Sequence, residues 1–178
     1  LGDGVIASTN SYESIATVTL GTAGTVSFTS IPSTYKHLQL RVLGRGAASV
    51  GANTVNMTFN SDTASNYYPY HWVYGTGAAA AADYYGAAAG FINPTYMVGN
   101  SETANIFSAC VIDILDYTST SKNKTVRTLS GYDANGGGRV SLSSGLWFAT
   151  PAAISTISLN FAGGNFLANS QFALYGVK

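Results

Sequence analysis

Apolar and polar residues alternate in short runs along most of this chain. In His37–Leu43, Leu38, Leu40 and Val42 fall on one face, with His37, Gln39 and Arg41 on the other. Thr54–Asn60 repeats the pattern, with Val55, Met57 and Phe59 set against Thr54, Asn56 and Thr58. In Ile154–Phe161, the residues Ile157, Leu159 and Phe161 alternate with Ser158 and Asn160. Ile15–Leu20 and Thr25–Thr29 flank the turn residues Gly21–Gly24, which predicts a hairpin, and Pro32 then breaks the pairing. Thr125–Leu129, Arg139–Ser143, Leu146–Ala149 and Gln171–Val177 complete the set, and Asn135-Gly136-Gly137-Gly138 reads as a turn. Ile106–Leu115 is apolar on both faces, which predicts a central strand covered on both sides. About ten short strands with glycine-rich turns and no convincing helix predict an all-β protein, a single-domain antiparallel β-sandwich of jelly-roll type.

Two segments depart from alternation. Residues 1–14 have no strong period and read as an extended N-terminal arm before a β-sandwich domain at 15–178. The chain opens on Leu1, a poor residue to follow a removed initiator methionine, so a processed chain or a missing start is expected. Gly75–Gly90 (GTGAAAAADYYGAAAG) contains five consecutive alanines with high helix propensity, but so short a helix is marginal in water. It reads as a long loop with at most one helical turn, the kind of loop that usually carries function.

Composition narrows the classes. A chain of 178 residues buries roughly 70% of its surface on folding, enough for one core without staples. Only 9% of residues are charged, and eight Lys+Arg balance eight Asp+Glu. That excludes a strongly basic nucleic-acid binder, so no nucleic-acid partner is expected. No apolar run reaches the ~18 residues of a membrane-spanning helix, so no membrane insertion is expected. Cys110 is the single cysteine, which precludes an intramolecular disulfide or a thiolate metal cluster.

Chemistry-bearing residues are few. His37 sits on the polar face of a strand and His71 in an aromatic run, and neither belongs to a nucleophile–base–orienter set. Cys110 lies in the most apolar strand and reads as a small hydrophobe. Asp113 and Asp116 point to opposite faces of a strand, so they do not converge as a glycosidase pair. Asp113 shares its face with apolar residues and needs a partner, which predicts a buried polar clamp with Arg41 or Arg127; Arg139 is a further candidate. Asp133 with Asn135, and Asp62 with Asn60 and Ser61, lack the spaced oxygen ligands of a calcium loop and read as turn formers. No catalytic residue, cofactor or metal site is therefore expected.

Asn66–Tyr74 (NYYPYHWVY) is the one dense chemical feature. Tyr67, Tyr68, Tyr70, His71, Trp72 and Tyr74, with Tyr84 and Tyr85 beyond them, are interface candidates. Aromatic rings can also pack a core or stack on sugars, and all three readings stand.

Two further segments carry a resemblance. Tyr12–Leu43 (YESIATVTLGTAGTVSFTSIPSTYKHLQLRVL) is one. The other runs from Ile112 to the end and includes ILDYTSTSKNKTVRTLSGYD, SGLWFATPAAISTISLNFAGGNF and FALYGVK. Together they resemble small β-rich virion structural proteins of tailed bacteriophages. The match is a cadence of strands and turns over about half of the chain, and Ala47–Asn105 lies outside it. The resemblance implies a non-enzymatic protein on the particle surface. The first implied role is a capsid decoration (cement) protein that contacts the major capsid protein and itself, as a homo-oligomer with a trimer favoured. The alternative is a tail fibre, receptor-binding or carbohydrate-binding β-domain with host glycan as its ligand.

Overall fold

The computed structural model describes residues 11–76, 79–149 and 151–178. Among them the chain forms twelve strands: β1 (Tyr12–Thr19), β2 (Val26–Phe28), β3 (His37–Gly44), β4 (Ala52–Phe59), β5 (Tyr67–Thr76), β6 (Ala79–Tyr85), β7 (Tyr96–Val98), β8 (Ser108–Ile114), β9 (Lys124–Asp133), β10 (Gly138–Trp147), β11 (Ile157–Phe161) and β12 (Gln171–Val177). No helix among the described residues is long and apolar enough to cross a membrane. The strands form two antiparallel sheets, an eight-stranded one ordered β1-β12-β3-β8-β9-β10-β5-β6 and a four-stranded one ordered β2-β11-β4-β7.

The quartet β1-β12-β3-β8 faces the quartet β2-β11-β4-β7, and the chain alternates between them in the jelly-roll order. Two inserted pieces enlarge one sheet only. β9 and β10 follow β8, β5 and β6 follow β4, and all four join the side of β8. The expected all-β sandwich is therefore present, with one sheet twice the width of the other.

The core lies between the quartets. Leu38, Leu40, Val42, Ile112, Ile114, Phe172 and Leu174 meet Phe28, Val55, Met57, Phe59, Ile157, Leu159 and Phe161. The alternation in β3, β4 and β11 is what buries these side chains, because residues two apart share a face.

Three sequence expectations are corrected. Ile15–Leu20 and Thr25–Thr29 are not a hairpin, since β1 pairs with β12 and β2 with β11. The glycine turn instead carries the chain from one sheet to the other, anchored by Leu20 N–H on Ser170 O and Gly24 N–H on Phe166 O (3.0 Å each). Arg139–Ser143 and Leu146–Ala149 are not separate strands but largely one, β10, with a register shift against β5 between Ser144 and Leu146. Gly145 sits there because a Cβ would lie 2.7 Å from the Ile92 side chain and 2.9 Å from Pro69 O. Gly75–Gly90 is mostly strand over its described length, with irregular backbone only from Gly86 to Gly90 and no helical turn among the described residues. Residues 79–85 form β6, paired with β5 in unbroken register from Tyr70↔Tyr85 to Thr76↔Ala79. The open edge of β5 offers these residues a ladder of backbone hydrogen bonds, whereas a lone helical turn must bear its nucleation cost alone. The predicted arm at 1–14 lies mostly outside the described residues, and Tyr12–Ser14 already belong to β1.

The β5 insertion is pinned to the core by Asp62. Its carboxylate accepts hydrogen bonds from Trp147 Nε1 (2.7 Å), Asn66 Nδ2 (3.1 Å) and Ala64 N (3.0 Å). Tyr67, fully buried, donates its hydroxyl to Asp62 O (3.0 Å), and the same hydroxyl accepts from Phe59 N (3.1 Å). Burial pushes the Asp62 carboxyl up, but the bonds from Trp147, Asn66 and Ala64 outweigh it and hold it below the ordinary value.

Asp62→Ala leaves the buried Trp147 N–H without an acceptor and is expected to cost about 1–3 kcal/mol in denaturant unfolding. A carboxyl whose folded value is depressed adds stability that is complete above its unfolded value and is lost as pH falls through the folded value. The wild-type advantage over Asp62→Asn, which keeps an acceptor but no charge, should therefore shrink as pH falls below about 4.

Candidate functional site

The feature of the surface that stands out is the outer face of the eight-stranded sheet. Its register aligns outward-pointing residues into rows that cross the strands. One row runs Thr17, Ala173, Arg41, Val111, Leu129, Leu142, Val73, Ala82. A second runs Thr19, Gln171, Leu43, Ala109, Gly131, Val140, Gly75, Ala80, with no charge in it. A third runs Ser14, Tyr175, Gln39, Asp113, Arg127, Ser144, His71, Tyr84 and holds most of the polar groups. In the first two rows Leu43, Val73, Leu129, Val140 and Leu142 are 51–62% exposed, and Val111 is 38% exposed. Monomers rarely leave that much contiguous apolar surface in water. A groove of about 620 Å³ runs among Leu43, Val111, Leu129 and Val140, with Arg41 at its rim.

This face corrects the reading of Ile106–Leu115 as a doubly covered strand. Cys110, Ile112 and Ile114 point into the core, whereas Ala109 and Val111 point to open solvent. The apolar signal on both faces was present in the sequence, but among the described residues nothing covers the second face.

The predicted clamp forms on the outer face. Asp113 Oδ2 accepts from Arg127 Nε at 3.1 Å, and Oδ1 accepts from Gln39 Nε2 at 2.9 Å. Arg41 reaches the cluster through Gln39, donating from Nε to its Oε1 at 2.9 Å, while its guanidinium lies over Tyr175 and Tyr12. The Asp113 side chain is 25% exposed and Gln39 only 7%, whereas Arg127 is 67% exposed, so the clamp is largely buried at Asp113 and Gln39 and opens to solvent at its Arg127 arm. Arg139 points to the opposite face. Its guanidinium lies 3.9 Å from the ring centre of Tyr74, 4.2 Å from Tyr96 and 5.4 Å from Trp72.

The aromatic run divides between the two faces. Tyr67 is core and Trp72 is 5% exposed, so neither is a surface contact, which corrects both as interface candidates. Trp72 stacks on Tyr70 at 3.9 Å and meets Tyr96 edge-on at 5.3 Å; Tyr70 also touches Tyr85. These rings and Arg139 cover the inner side of the wide sheet. Tyr68 stacks on Phe148. His71 and Tyr84 lie on the outer face, stacked 5.9 Å apart and nearly parallel beside Leu142, Val73 and Ala82.

Other polar groups serve the fold. His37 Nδ1 accepts from Asp116 N (2.9 Å), and Asp116 also accepts from Lys122. Burial pushes the Cys110 thiol up to about 12, far from a reactive thiolate. Asn135 N bonds the Asp133 carboxylate, and Asn60 accepts from Ser155 and Thr156, so both segments act as turns. Among the described residues no three His, Cys, Asp or Glu side chains cluster as metal ligands. Arg45 is buried and donates to the carbonyls of Thr103, Ile106 and Glu102, fixing the loop before β8. Sequence reasoning missed Arg45, because its partners are backbone atoms. It also missed the outer rows, because each strand carries only one or two of their members.

Comparison with protein-family models, curated proteins and solved structures finds no match to this chain.

Arg127→Ala should change stability by less than about 1 kcal/mol, as for the exposed arm of an ion pair, in a denaturant titration. Cys110 should resist a water-soluble thiol reagent at pH 8 in the native protein and react once the chain is unfolded.

Proposed function

We propose that this protein is a non-enzymatic structural protein of a virus particle surface, a decoration (cement) protein of a phage head. It seats on the major capsid protein through the outer face of its wide sheet and associates with further copies of itself. One observation carries the reading: the aliphatic patch of Leu43, Val73, Leu129, Val140 and Leu142, each more than half exposed, on neighbouring strands whose rows hold one charged residue, Arg41, at one side. Burying such side chains contributes roughly 1.5–3 kcal/mol each, so a few of them suffice for firm docking. The resemblance of Tyr12–Leu43 and of Ile112 onward to phage virion proteins supplies the kind of partner. A second reading, a tail or carbohydrate-binding domain, draws on the exposed His71–Tyr84 stack beside Ser144, where a sugar ring could lie against the aromatic faces.

Leu129→Glu with Leu142→Lys places an opposite-charge pair, directly cross-strand, in the first row without touching the core. Attachment to purified heads should weaken about a hundredfold or more, with unchanged melting and little effect of salt on wild-type attachment. Wild-type protein that fails to bind heads, or a double variant that binds as well as wild type, contradicts the proposal. Glycan binding abolished by Tyr84→Ala would favour the second reading.

A further inference from the structure

The two edges of the wide sheet differ. At one edge, β1 is interrupted by a register shift between Ser14 and Ala16 and carries Glu13 paired with Lys178. Bulges and charges of this kind are what keep sheet edges from pairing with other chains. At the other edge, β6 keeps unbroken register with β5 over seven residues, every one of them exposed. It contains no proline, lysine or arginine, and Asp83 is its single charge. The Tyr84 N–H bonds the Asp83 carboxylate at 2.8 Å. By strand alternation the backbone groups of Ala80 and Ala82 then face the same open edge as those of Tyr84.

We infer that β6 pairs antiparallel with β6 of a second copy of this chain, about a two-fold axis at Ala82. The sequence AAAADYY is self-complementary in that register. Ala81 lies opposite the partner's Asp83, Ala80 opposite the partner's Tyr84, and Ala79 opposite the partner's Tyr85. Each bulky side chain meets a methyl group, and the two carboxylates stand diagonally, about 7–8 Å apart, not directly opposed. The axis also falls on the first outer row. Val111, Leu129, Leu142, Val73 and Ala82 therefore continue without interruption into the same row of the partner, and the exposed apolar face doubles in width. Asp83 releases the Tyr84 N–H as that donor turns to the partner's backbone. A seven-residue ladder is shorter than a standard interface of about 1,600 Å², so the dimer is a concentration-dependent one. The inference deepens the self-association in the proposed function, giving it two-fold symmetry where the resemblance implies a trimer. It does not depend on attachment to heads.

The test is sedimentation of the whole chain over a wide concentration range, for wild type, Ala81→Asp and Ala81→Lys. Position 81 is exposed and opposes the partner's Asp83 twice per dimer, so both variants should fold and melt like wild type. A monomer–dimer equilibrium is expected for wild type. Ala81→Asp should weaken it on the order of tenfold and Ala81→Lys should tighten it by a similar factor. A protein that stays monomeric at every concentration, a trimer, or a dimer indifferent to both substitutions overturns the inference. Head attachment, measured separately, distinguishes its failure from that of the proposed function. A monomer that still binds heads refutes only the two-fold pairing, and a dimer that does not bind them refutes only the particle role.

Discussion

The eight strands of one sheet outrun the four of the other, and most of the molecule's surface chemistry follows from that mismatch. A jelly roll of two matched quartets buries one face of each sheet and leaves ordinary polar surfaces outside. Here β9, β10, β5 and β6 extend the sheet past the β8 edge, and the facing quartet meets this wing through Phe59 and Tyr96. Among the described residues the inner side of this wing is covered largely by side chains rather than by further paired strands. Tyr70, Trp72, Tyr74 and Tyr96 cover it by stacking on one another and on Arg139. Rings suit this role because each covers a large area with few rotatable bonds. On the outer side the register aligns aliphatic residues from neighbouring strands, and among the described residues nothing covers them.

Scarce charge reinforces the effect. The eight basic residues are largely committed to local structure. Arg45 and Lys124 are buried and donate to backbone carbonyls, which satisfies them without any acidic partner. Burial accordingly pushes the Lys124 ammonium down from its ordinary value. Lys122 and Lys178 hold Asp116 and Glu13, and Arg139 lies among rings. The charges of the outer face, Arg41, Asp113 and Arg127, cluster toward one side, with Gln39 joining them. Beyond Arg41, the two apolar rows run from β8 to β6 without a charged side chain.

The resemblance to phage virion proteins and the geometry of the face speak to different questions. The first concerns the ends of the chain, Tyr12–Leu43 and Ile112 onward, which build β1 to β3, the end of β8 and β9 to β12. The second concerns how the quartets and the inserted strands are arrayed. The β5–β6 insertion lies wholly in the stretch the resemblance does not reach, and the free edge of the sheet belongs to it.

Alternation by itself determined the all-β class and most of the strands, because a period of two in β3, β4 and β11 admits only one buried face. It also placed Cys110 in the core and drew Asp113 to Arg127, since both lie on well-patterned strands. Tertiary structure decided what a local pattern cannot encode. Ala79–Tyr85 is a strand because the edge of β5 was open to pair with it, although its alanines favour a helix. Ile15–Leu20 and Thr25–Thr29 part into different sheets because each finds its partner more than a hundred residues away, at β12 and β11. Tyr67 and Trp72 are buried while His71 is exposed, because the bulge at Gly145 and the pin at Asp62 set how β5 is aimed. The outer rows exist only in register: one aliphatic residue per strand is unremarkable in sequence, and pairing distant strands brings them together into one surface.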